Sequence, residues 1–225
     1  MLDIKQLIIG SSFILIILAI TSLFFMLKYP KVRYIRFFLS FSILFFVGLL
    51  LLSARNTIPD FLSIIMGNML LIVAYIILYI GIVDLLNLDA KWKNRYFIPI
   101  IVTLFGFILF TYVYYDVKMR ITIFSIFCLF YCSSISWMFF KNARIKFLII
   151  DYISSFLFFI GIFIFTFRIF WVSLIDIPEN YLAATDSMIV LAYSYLILIV
   201  MWLLIIEINC KVDTSSFEKI NEKRN

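Results

Sequence analysis

From Leu62 to Val83 the chain runs twenty-two residues without a charged side chain. About 20 apolar residues in helical form cross a hydrocarbon core of ~30 Å, so this one segment already restricts the fold. Strands of a membrane barrel alternate apolar and polar residues over short stretches. This segment is apolar on every side, and so is Phe13 to Leu27. Backbone groups in lipid must be bonded within their own element, which leaves the helix. Charge is too scarce to clothe a soluble surface: 14% of residues are charged and 65% hydrophobic, against roughly 25% charged in ordinary globular chains. The expected fold class is all-α, an integral membrane bundle.

Seven segments qualify as transmembrane helices, near 7–27, 37–54, 61–83, 97–115, 120–140, 151–172 and 186–207. They make one domain over 1–207, and 208–225 is read as a cytoplasmic tail. The first is read as a retained span, because basic residues follow it and no small-residue cleavage pattern precedes them. Pro30 ends helix 1, since it lacks the N–H a further turn would need. Pro59 suits the first turn of helix 3, where that N–H has no partner in any case, and Asp60 complements the positive helix end.

Basic residues set the orientation. The connections after helices 1, 3 and 5 hold Lys28, Lys31, Arg33, Arg36, Lys91, Lys93, Arg95, Lys141, Arg144 and Lys146, and the tail adds Lys211, Lys219, Lys223 and Arg224. The opposite side has Lys5, Arg55, Lys118 and Arg120. Positive residues collect in the cytoplasm, so the N-terminus is expected outside and the tail inside. The same topology accounts for the net charge of +6, and no nucleic-acid partner is expected.

The chain contains no histidine. That removes serine intramembrane proteases, histidine-dependent acyltransferases and the usual haem proteins. Cys128, Cys132 and Cys210 form no metal or disulfide spacing. No phosphate-binding glycine loop occurs. No catalytic residue, metal or cofactor is expected.

Arg168 stands out, because arginine centred in a membrane costs ~2.5–3.5 kcal/mol and marks a candidate site. Two readings stay open. It snorkels to the headgroups or pairs with Asp176 or Asp186, or it joins Arg55 in holding an anionic or carbonyl group of a ligand. Asp60, Ser63, Gly67 and Asn68 share adjoining faces of helix 3. Ser63 and Gly67 form a small-xxx-small pair for close helix packing, and Asn68 is expected to hydrogen-bond across the bundle. Arg120 completes the candidate ligand set of Arg168, Arg55, Asp60, Asn68 and Arg120. The tail is either the start of a signalling helix or a solvated stop.

The run Arg55-Asn56-Thr57-Ile58-Pro59-Asp60-Phe61-Leu62-Ser63-Ile64, with Asn68 beyond it, resembles the seven-helix N-terminal sensor region found ahead of bacterial GGDEF diguanylate cyclase domains and some histidine kinases. Tyr112 to Arg120 is similar to that family's aromatic outer loop, and Arg168 falls at its arginine near the outer end of helix 6. The resemblance implies a sensor in the bacterial inner membrane. It would pass a change through helix 7 to a cytoplasmic output domain or signalling partner, with the lipid bilayer and a second copy of the chain (a homodimer) as further partners. No GGDEF or kinase motif is present, so enzyme activity does not carry over. A transporter or channel subunit and a membrane scaffold are the alternatives.

Overall fold

The structure is a computed structural model that describes residues 4–54, 57–88, 97–146, 149–174 and 199. Six helices run through these residues: α1 (Ile4–Lys28), α2 (Arg33–Ser53), α3 (Gly67–Leu85), α4 (Phe97–Ile108), α5 (Val117–Lys146) and α6 (Ile149–Leu174). A π-helical turn, Phe61–Met66, leads into α3, and another, Leu109–Val113, ends α4. No strand forms among the described residues. Arg33–Ser53, Phe61–Leu85, Val117–Arg144 and Ile149–Leu174 are each long and apolar enough to cross a membrane, and Phe13–Lys28 and Pro99–Val113 are shorter apolar helices. The molecule is therefore an all-helical chain of the multi-pass membrane type. The expected span 186–207 lies outside the described residues apart from Ile199, which is helical and buried in the main core.

Two boundaries differ from the sequence expectation. α5 continues to Lys146, which puts Lys141 and Arg144 on the helix rather than in a loop. Cations favour a helix C-terminus, where the macrodipole is negative. Pro59 lies just ahead of its helix, and its carbonyl accepts the N–H groups of Leu62 (2.9 Å) and Ser63 (3.1 Å).

Short connections make consecutive helices antiparallel. We call "lower" the end that holds Pro30 and the α5–α6 connection, and "upper" the end that holds Pro59 and Asp116. α2 and α3 meet at two glycines, because a Cβ on Gly48 would stand 3.1 Å from the Gly67 carbonyl oxygen and 2.9 Å from Leu71 Cδ2. At their lower ends Arg33 pairs with Asp84 at 3.7 Å. The core between α2, α3 and α5 is aromatic. Ring centroids lie 5.7 Å apart for Phe45 and Tyr75, 6.1 Å for Tyr75 and Phe127, and 4.6 Å for Phe127 and Tyr131. Phe13, Phe105, Phe156 and Phe163 point outward, where lipid is the natural solvent. With no hydrophobic force between helices in lipid, such packing and interhelical hydrogen bonds hold the bundle.

α5 and α6 are joined by polar side chains in their lower halves. Ser136 donates to the carbonyl of Ser155 (2.8 Å), and Ser155 donates to the carbonyl of Ser136 (2.9 Å). One to two turns lower, Asn142 donates to the Asp151 carboxylate. Both pairs are buried.

Candidate functional site

The upper half contrasts with this. Asp116 caps α5, its Oδ1 accepting the Met119 N–H at 3.1 Å, the usual role of an aspartate before a helix. Four residues on, the Arg120 side chain is only 4% exposed. Its guanidinium lies 4.9 Å from the centroid of the Tyr115 ring, a cation–π contact worth more once water is removed. Neither Nη1 nor Nη2 has a hydrogen-bond partner, and both are buried. A buried polar group without a partner is costly, and a charged one more so.

Thr111 lies in the π turn that follows α4, and that turn packs against α5. Phe107 and Phe124 are in edge contact at 6.4 Å, and Gly106 packs on Ile123. About one turn above these contacts lie Thr111, past the end of α4, and Arg120, near the start of α5. Thr111 Oγ1 is buried and without a partner. Other hydroxyls in these helices return to the carbonyl four residues back: Thr103 to Pro99 (2.7 Å), Thr122 to Lys118 (2.9 Å) and Ser125 to Ile121 (2.7 Å). Thr111 sits in the wider π turn, where that bond is not made. Ser63, in the other π turn, reaches Pro59 at a stretched 3.4 Å. Single π turns within α-helices occur frequently at functional sites.

Arg168 is buried on α6, 8% exposed, and its Nε has no partner. One turn above it Val172 packs with Val117 and Ile121 of α5, so Arg168 lies about one turn deeper than Arg120. Arg168 is enclosed by protein rather than extended toward headgroups. Asp176 and Asp186, the acids expected as its partners, lie outside the described residues.

The remaining candidates separate. Asp60 is exposed. Asn68 donates to the carbonyl of Ile64 on its own helix at 2.6 Å, so the expected bond across the bundle is replaced by a local one; a short amide reaches the previous turn more easily than a neighbouring helix. Ser63 and Gly67 are buried, and Gly67 faces Gly48 of α2. Arg55 lies outside the described residues. Among the described residues Arg120 and Arg168 are thus the buried cations, on neighbouring helices but at different depths. Thr111 was not singled out by its residue type, and a hydroxyl in an apolar helix end gives no stronger signal.

Among the described residues no group of His, Cys, Asp and Glu is arranged to hold a metal ion. Known protein families, characterised sequences and solved structures provide no match to this chain.

Proposed function

We propose that the chain is a seven-helix receptor module of the bacterial inner membrane, with its upper end outward and its tail in the cytoplasm. In this reading a signal is received in the outer half and relayed through helix 7 to a cytoplasmic output domain or signalling partner. The observation that carries it is the pair of buried arginines, Arg120 and Arg168: Nη1 and Nη2 of Arg120 and Nε of Arg168 have no hydrogen-bond partner inside an apolar bundle. Intramembrane charge is expensive and generally functional. The uneven distribution of polar bonds supports the same reading. The lower halves of α5 and α6 are fastened by Ser136–Ser155 and Asn142–Asp151, whereas the upper halves hold donors without acceptors. A ligand that fills the upper site would favour one packing of the upper helices over another. The positive-inside pattern supports this orientation, and the likeness around Pro59 supports the receptor class.

The test places a single cysteine at Phe217 in the tail and follows its labelling rate in native membranes. Conditions that change the rate in the parent chain should leave it unchanged in an Arg168→Met variant. A response that persists in that variant rules out the arginine site as the receiver.

A further inference from the structure

We infer that Arg120 and Thr111 form a binding site for an oxyanion, a carboxylate or phosphate group presented from the upper face of the bundle. The unfilled groups at this level can all donate. Arg120 supplies donors only, and the Thr111 hydroxyl is free to donate. Nη1 and Nη2 of Arg120 are both unpartnered, and together they form the end-on fork that matches two oxygens of one carboxylate or phosphate. The nearest acid, Asp116, is committed to the Met119 N–H, and no carboxylate among the described residues pairs with Arg120. The positive end of α5 adds its own field to that of the guanidinium, so the chain places a cation where its own backbone repels one. An incoming anion relieves both.

The group arrives past Tyr115. That side chain is half exposed in the short connection between α4 and α5, and its ring covers the guanidinium. The anion takes over the charge contact that the ring face provides. Phe107 and Phe124 lie one turn below, so the floor of the site is apolar.

The inference rests on the receptor reading only for the use of the site, and binding is measured without any output. The full chain, reconstituted in nanodiscs of phosphatidylcholine, is titrated with inorganic phosphate, with dodecyl phosphate and with dodecanol, and a parallel set of nanodiscs contains phosphatidylglycerol. Saturable elevation of the unfolding midpoint is expected for at least one phosphate-bearing probe and not for dodecanol. Response to inorganic phosphate identifies a soluble anion, response to dodecyl phosphate alone an acidic amphiphile, and response to phosphatidylglycerol alone a lipid headgroup. Arg120→Gln should weaken the binding by about tenfold or more, as loss of a charge-assisted pair requires. Thr111→Val, close in shape, should weaken it by about threefold, and it carries the test if the arginine variant does not fold. Equal stabilisation by dodecanol, no saturable response to any phosphate probe, or unchanged affinity in Thr111→Val and Arg120→Gln overturns the site. A chain that binds through Arg120 while its tail never responds keeps the site and removes the receptor reading.

Discussion

Asn142, near the end of α5, donates a hydrogen bond to the carboxylate of Asp151 in the first turn of α6, and both side chains are buried. Two residues, 147 and 148, separate the helices in sequence, so this bond joins the two helix ends beside that short connection. The carboxylate also lies at the positive end of α6, where a negative charge is favoured. The amide therefore holds a buried anion in place as well as joining two helices.

Removing the amide should expose that dependence. Asn142→Ala leaves Asp151 with one donor fewer in a buried position, a loss of about 1–2 kcal/mol. Asp151→Asn keeps a hydrogen-bonding partner and removes the charge, so it should cost less. Unfolding midpoints of the two variants in detergent give the order, and an Asn142→Ala chain as stable as its parent would show that the bond contributes nothing.

Sequence reading reaches some of these features and not others, for physical reasons. Long apolar runs declare helices because lipid leaves the backbone no other way to bond itself, so the segments around 37–54, 61–83, 120–140 and 151–172 coincide with α2, α3, α5 and α6. Arg168 attracts notice by its cost in a membrane, and Arg120 by its place in the outer cluster and the likeness of Tyr112 to Arg120. What spacing cannot show is the local turn. The π turns at Phe61–Met66 and Leu109–Val113 carry no distinctive residues, yet the second is where the Thr111 hydroxyl lacks its usual bond. Asn68 shows the opposite limit: its face is readable, but whether its amide crosses to a neighbour or folds back on Ile64 is decided by a distance.

The Gly48–Gly67 contact predicts an asymmetric pair of substitutions. A methyl group on Gly48 would lie 2.9 Å from Leu71 and 3.1 Å from the backbone of α3, whereas one on Gly67 meets Leu52 at 3.3 Å. Gly48→Ala must push α2 from α3 and should cost about 1–3 kcal/mol. Gly67→Ala should cost less, since its contacts, with Leu52 at 3.3 Å and the Gly48 carbonyl oxygen at 3.4 Å, are close to ordinary van der Waals distance. The reverse order of unfolding midpoints would mean that these helices meet elsewhere.

The serine pair on α5 and α6 provides a direct check of register. Ser136 and Ser155 hydroxyl oxygens are 3.2 Å apart. With Cys128, Cys132 and Cys210 replaced by alanine, a Ser136→Cys, Ser155→Cys chain should crosslink under mild oxidation. Moving either cysteine one residue along turns it to another face and should abolish the bond. Equal crosslinking of the shifted pair would reject the register.

Orientation is open to labelling from the two sides of the membrane. Tyr115 is half exposed at the upper end and Lys141 is exposed at the lower. On the same cysteine-free background, Tyr115→Cys should react with an impermeant maleimide in intact cells. Lys141→Cys should react only after the cells are opened. The opposite pattern would invert the bundle and put the Arg120 level on the cytoplasmic side.

Arg168 yields a prediction in which stability and function move apart. Its side chain is buried and its Nε unpartnered, so the folded protein bears a desolvation cost that a methionine of similar length would remove. Arg168→Met should therefore raise the unfolding midpoint in detergent, while the parent chain alone retains a response at its tail. Loss of charge with gain of stability is the pattern expected where a strained site is kept for what it binds. If Arg168→Met is instead less stable than the parent, the guanidinium is a structural member of the α5–α6 packing.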